Sequence, residues 1–199
     1  MKTTLLALAL LAAPVAAFAE AAPDTNPADV KAGTFKIEPS HTRILFAVSH
    51  MGFTSWYGEF TGASGTLTLD PTKLSATSFD IIVPADTITT TNTTLDGELK
   101  SPKWFDVAKY PTIEFKSGTV VRTGTNTASV TGELTFHGVT RPETLQVTFN
   151  AAGINELTNQ YTAGFNATGV LKRSEFNQST YIPLIGDDVS LTISAAFVK

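Results

Sequence analysis

Apolar and polar residues alternate one by one along most of the chain beyond residue 40. Ile44, Phe46 and Val48 take turns with Leu45, Ala47 and Ser49, and Phe79, Ile81 and Val83 with Ser78, Asp80 and Ile82. The same spacing recurs in Ile113/Phe115, Val130/Leu134/Phe136, Leu145/Val147/Phe149, Tyr161/Ala163/Phe165/Ala167 and Val189/Leu191/Ile193/Ala195/Phe197. Successive side chains of an extended strand point to opposite sides, so each run predicts a strand with one apolar and one polar face.

Adding 34–38 and 58–69 brings the total to eight or nine strands, the count depending on whether 34–38 and the next run are two strands or one bent at Pro39. Turn signals separate them, among them Asp70-Pro71, Gly124-Thr125-Asn126 and Gly153-Ile154-Asn155. Residues 93–101 (TTLDGELKS) break the pattern. A Thr cap, an early Asp and a late Lys predict a short helix there. Repeated short strands without a βαβ rhythm define an all-β domain, either a sandwich or an antiparallel barrel. A sandwich fills its interior with side chains, whereas a barrel of about eight strands can enclose a small ligand. The alternation fits both.

The ends of the chain add a second layer. Lys2, the apolar run 5–13 and Ala17-Phe18-Ala19 follow the order of a cleaved secretory signal peptide over residues 1–19. The run is far short of the roughly 20 residues that span a bilayer, so the protein is expected to be periplasmic and not membrane-spanning. Residues 20–33 (EAAPDTNPADVKAG) carry no apolar period and are expected to be a flexible leader, with one domain filling 34–199.

Composition narrows the chemistry. Threonine is the commonest residue, as suits a pleated surface. The formal net charge of −4 becomes one unit more negative once Lys2 is removed, and no Lys/Arg cluster exists. That argues against nucleic acid as a partner. Without any cysteine, thiol catalysis and Cys-ligated metals are excluded and the core alone must hold the fold. His41 and His50, nine apart on an extended run, cannot chelate one metal locally, and no His-x-His or Glu-x-x-His pattern occurs. Neither a G-x-S-x-G elbow nor a phosphate loop is present. No catalytic residue, metal or cofactor is therefore assigned. Asp187-Asp188 reads as a solvated turn, and Arg173 as a surface ion pair or a contact for an anionic head group at a barrel mouth.

Four segments in order carry a resemblance: PSHTRILFAVSHMG at 39–52, LKSPKWFDVAKYPTIEFKS at 99–117, GELTFHGVTRP at 132–142 and GFNATGVLKRSEF at 164–176. Together they resemble the YceI-like family of exported, lipocalin-like, polyisoprenoid-binding proteins, over about 34–199. The resemblance implies an extended eight-stranded antiparallel barrel with a short helical cap. Its tunnel would hold a long isoprenoid chain or similar amphiphile, such as a polyisoprenoid or quinone, without catalysis. Two places depart from the family pattern. Glu98 stands where a His usually precedes the helix's Leu-Lys-Ser, and Asn177 stands where Gly often follows Arg-Ser-x-Phe. Both fall near the expected mouth.

Because family contacts are mainly apolar barrel side chains, the expected ligand-binding set is the inward half of each alternation. It comprises Phe46, Val48, Phe60, Phe79, Ile81, Phe115, Leu134, Phe136, Leu145, Val147, Phe149, Phe165, Ile193 and Phe197. His50, His137 and Arg173 are candidate head-group contacts. Each buried methylene of a chain contributes about 0.8 kcal/mol, so enclosure alone could hold a long lipid with few polar anchors. Two other readings stand beside the carrier: an enzyme acting on an isoprenoid or lipid with His50 or His137 as base, and a filled-core stress or adhesion protein. A second copy of the chain is admitted as a partner.

Overall fold

The computed structural model describes residues 22–199, so the expected signal peptide lies outside the described residues. The elements are β1 (Gly33–His50), β2 (Thr54–Phe60), β3 (Ser64–Leu69), β4 (Ser78–Pro84), α1 (Thr93–Lys100), β5 (Thr112–Arg122), β6 (Thr127–Phe136), β7 (Val139–Asn155), β8 (Gln160–Lys172) and β9 (Ile185–Val198). Every strand pairs antiparallel with its neighbours, in the order β2-β1-β3-β4-β5-β6-β7-β8-β9, and β1 also pairs with β9. That last pairing closes the sheet. The domain is an eight-stranded antiparallel barrel with one extra strand, β2, and a single α-helix among the described residues.

β1 is one strand through Pro39, bent by a bulge. Its register against β9 jumps from Glu38↔Ala196 to Arg43↔Ser194. Pro39 has no N–H to give the ladder, and side chains fill in. Thr42, buried, donates to the Glu38 carbonyl at 2.8 Å and accepts from the Ala196 N–H at 3.2 Å. The Glu38 carboxylate accepts from the Ser40 and His41 N–H groups at 3.1 and 2.8 Å. Burial raises its pKa, but these bonds and the His41 side chain outweigh that and hold it below the usual value.

The run expected as one strand over 58–69 is two. β1 is long enough to pair β3 with its first residues and β2 with its last. The chain steps from one to the other at Thr61-Gly62-Ala63, where Gly62 takes a left-handed φ of 68°. The outer edge of β2 is covered by the 85–91 connection through reciprocal backbone bonds between Glu59 and Thr89, at 2.9 and 3.0 Å. This protects an edge that would otherwise be free. At Gly65, φ is 134° and a Cβ would lie 2.0 Å from the Asp80 carbonyl oxygen, so only glycine lets β3 lie this close to β4.

The helix starts at Thr93 as expected and ends one residue earlier, at Lys100, but its cap is different. Asn92, not Thr, accepts from the Thr94 and Leu95 N–H groups, both at 3.1 Å. Over its described part, the stretch expected to be a flexible leader is docked. Asp24 exchanges two 2.8 Å backbone bonds with Ala152, Val30 is buried in the core, and the Lys31 N–H donates to the Tyr161 hydroxyl at 3.1 Å. Pro27 and Val30 give this segment an apolar face despite its lack of period. It covers one end of the barrel. α1 and the 173–185 connection cover the other.

Candidate functional site

The barrel is hollow. A cavity of about 330 Å³ runs from Leu69, Leu74 and Thr77 near the docked N-terminal segment to Leu99, Trp104 and Gln178 beneath the helix. Its wall is almost wholly apolar. Phe46, Phe79, Phe115, Leu145, Val147 and Ile193 all face inward, yet each is only half-buried. Inward residues of a filled core would be buried outright, so their remaining free surface is the surface of the void. The alternation could not separate a solid interior from a hollow one; this does.

Rings make up much of the lining, in two groups. Phe79 stacks on Phe115 at 5.7 Å, Phe60 meets Phe46 at 5.8 Å and Phe105 at 5.9 Å, and Phe105 meets Phe136 at 5.2 Å. The Phe46 ring lies over Gly58, its cross-strand partner, where a Cβ would be 2.4 Å away. Such tilted and offset ring pairs stabilise by about 0.5–1.5 kcal/mol beyond burial. The wall therefore keeps its shape while enclosing empty space.

The helical end is held together by polar bonds among residues that line or border the cavity. The Trp104 indole N–H donates to Glu98 at 3.1 Å, which gives the residue departing from the family's His a partner. Gln178 donates to the Trp104 carbonyl at 2.8 Å. Arg173, 6% exposed, donates to the carbonyls of Gly186, Gln178, Thr180 and Ile185 at 2.7, 2.6, 2.9 and 2.8 Å. The surface ion pair expected for it does not form. Arg173 lines the cavity, but its guanidinium is engaged in tying the 173–186 connection together. Burial lowers its pKa, partly offset by Asp187. Asp187 is itself no solvated turn: it accepts from the Ser174 N–H and hydroxyl, both at 2.8 Å. Asn177 takes a left-handed φ of 59°, a conformation that Asn tolerates nearly as well as the family's Gly.

Of the fourteen inward positions, thirteen line the cavity. Phe149 does not; it faces a separate void of about 70 Å³ against Pro27 and Val30. His50 and His137 line neither. His50 sits at the end of β1 against the Trp56 ring, 6.1 Å away. His137 and Gly138, with φ of 48° and 75°, form the two-residue turn joining β6 to β7. The His137 ring packs on Tyr110 at 4.5 Å, and its Nδ1 is buried without a partner. Burial pushes its pKa down, against a backbone contact at Phe176. The two histidines are on separate hairpins with no shared partner. Among the described residues, no group of three or more His, Asp or Glu side chains could hold a metal, and no helix is long and apolar enough to cross a membrane.

Many wall residues lie outside the expected set, among them Trp104, Phe105 and Ile113, and one of them is ionisable. Glu143 continues the 145/147/149 alternation of β7 backwards and lines the cavity. Burial, reinforced by nearby Glu175, raises its pKa above the usual carboxylate range.

Comparison with known proteins agrees with this architecture. The YceI-like domain profile matches residues 35–197. A UPF0312 protein of Pseudomonas syringae pv. tomato is 37% identical over 139 residues, covering 70% of this chain and 72% of that protein. BcnA of Burkholderia cenocepacia has a similar structure, with a TM-score of 0.73 at 22% identity, covering 80% of this chain and 98% of that one. A polyisoprenoid binding domain from Saccharophagus degradans, implicated in plant cell wall breakdown, superposes with a TM-score of 0.64 at 12% identity, covering 84% and 99%. The chain belongs to the YceI-like family.

Proposed function

We propose that this protein binds and carries one long apolar or amphiphilic chain of isoprenoid type inside its barrel, in the periplasm and without chemical conversion. The observation that carries the reading is the hollow interior, with inward aromatic and aliphatic side chains half-exposed to a void of about 330 Å³. An apolar cavity of this kind stays dry and favours apolar guests. The fold shared with a polyisoprenoid binding domain supports the class of guest. The signal-like N-terminus supports the compartment. That both candidate bases lie off the cavity wall supports carriage over catalysis.

The test is native mass spectrometry of the protein purified from its own host, followed by incubation with isoprenoid alcohols, pyrophosphates and quinones. We expect one unaltered lipid per barrel. A bare polypeptide that takes up none of these compounds, or a conversion abolished by His50→Ala or His137→Ala, would overturn the proposal.

A further inference from the structure

The end of the barrel that carries α1 also carries an apolar crest. Two turns stand side by side there, the β1–β2 turn at 51–53 and the last part of the 173–185 connection. The Met51 N–H donates to the Leu184 carbonyl at 2.6 Å, and His50 pairs with Ile185 in the ladder beneath. The large side chains of these turns face solvent. Phe53 is 86% exposed, Met51, Tyr181 and Leu184 are about half exposed, and Trp56 at the foot of the hairpin is exposed as well. Turns that face water ordinarily take Gly, Asn, Asp or Ser. Here Met51 and Tyr181 hold left-handed positions, with φ of 54° and 61°, that those residues would fill at lower cost.

Charge and position bear on what covers the crest. Residues 44–58 and 176–186 contain no Asp, Glu, Lys or Arg, although 16% of the chain is charged. The charged groups bordering these turns are engaged elsewhere. Lys103 donates to the Tyr181 hydroxyl, Glu98 accepts from Trp104, Asp187 accepts from Ser174, and Asp188 pairs with Lys172. Glu175 stands toward Glu143 on β7, away from the crest. The two tips can therefore leave water without stripping an ion. They also adjoin the cavity. The Tyr181 ring packs on Trp104 at 6.1 Å, and Leu184 is followed by Ile185; Trp104 and Ile185 both line the void.

Resting on the carrier reading, we propose that this crest docks the protein on a lipid bilayer surface, where the guest passes between membrane and barrel at the α1 end. Met51, Phe53 and Leu184 enter the acyl region, and Trp56 and Tyr181, each with an apolar body and a polar tip, sit at the level of the head groups. A stable protein interface engages roughly 20–30 residues a side. Five large apolar side chains on two narrow turns fall short of that, whereas a bilayer asks only for apolar surface that can be buried. Because no Lys/Arg cluster surrounds the crest, insertion is apolar and does not depend on anionic lipid.

The experiment floats the full mature chain with vesicles of phosphatidylcholine, alone or mixed with phosphatidylglycerol, at low and high salt, and follows farnesol uptake from solution in parallel. We expect the wild type to bind both kinds of vesicle and to keep binding in high salt. The double variant Phe53→Ser, Leu184→Ser should bind more weakly by at least about tenfold per side chain, or about 1.4 kcal/mol each. Leu157→Ser, which removes a leucine 97% exposed at the opposite end, should bind like the wild type. All three proteins should take up farnesol alike, since none of the changed residues lines the cavity, and this uptake also shows that they are folded. A wild type that does not float, flotation undiminished in the double variant, an equal loss in Leu157→Ser, or binding abolished by salt overturns the proposal. So does gel filtration in which the wild type elutes as a dimer and the double variant as a monomer, which would assign the crest to a second copy of the chain. Failure of every folded form to take up farnesol overturns the carrier reading instead, and flotation then judges the crest by itself.

Discussion

Filling the void is the most direct way to ask whether it serves a ligand. Ala167 lies on β8 between Val147 and Ile193, is buried, and turns its methyl group into the cavity. Ala167→Phe adds about six ring carbons where a bound chain would otherwise run. At about 0.8 kcal/mol per displaced methylene, the lost burial reaches about 5 kcal/mol, and even half of that weakens binding by about fiftyfold. The protein itself should fare differently. Burying a Phe ring contributes about 1.5–3 kcal/mol when space is available, whereas forcing it into a packed core costs about 1–3 kcal/mol. We therefore expect weaker retention of lipid, read by native mass spectrometry and by competition with a fluorescent fatty probe, together with an unchanged or higher Tm. The reverse pattern, lower Tm with undiminished lipid, would falsify the idea that this void is where a ligand sits.

Other expectations follow from single contacts. Arg173→Met should lower stability in urea by about 3 kcal/mol or more, because orphaned buried acceptors cost about 1–3 kcal/mol each; a loss below about 1 kcal/mol would mean that the 173–186 connection does not depend on it. His137 has its pKa lowered by burial, so the unfolded chain binds the proton more readily. Stability should hold above its ordinary value of 6.5 and fall as the pH drops through and below it. His137→Asn, which tolerates the left-handed turn, should flatten that slope in urea titrations across this range, and an unaltered slope would contradict the argument. Gly65→Ala should cost more than about 2 kcal/mol, since its Cβ has nowhere to go. By contrast Gly97→Ala, in open space on α1, should gain up to about 1 kcal/mol. Melting curves of the pair would expose an error in either.

Alternation was enough to find every long strand and the inward side of each, because a period of two survives whatever the sheet does globally. It could not say how far along the barrel axis a residue lies. Phe149 shares a face with Val147 but sits one step lower, behind the docked N-terminal segment. Nor could it see a strand break that keeps the period, as at Thr61-Gly62-Ala63. Glu143 escaped notice because Pro142-Glu143-Thr144 reads as a polar strand end. Extending the 149/147/145 series by one more step would have placed it. Arg173 needed tertiary information outright, since its four acceptors belong to a connection with no pattern of its own.

The closing pair of strands carries a consequence for the life of the molecule. Every other pairing in the barrel joins strands close in sequence, but β1 meets β9 across nearly the whole domain, with Ile37 opposite Phe197. Loop-closure entropy places such a contact late in folding. Until β9 arrives, the sheet is an open ribbon with two unpaired edges and no interior. No ligand can be held by a chain whose last strand is missing. Capture and completion of the fold are then one thermodynamic event, and a guest that binds only the closed barrel stabilises it by mass action, in proportion to the logarithm of its concentration.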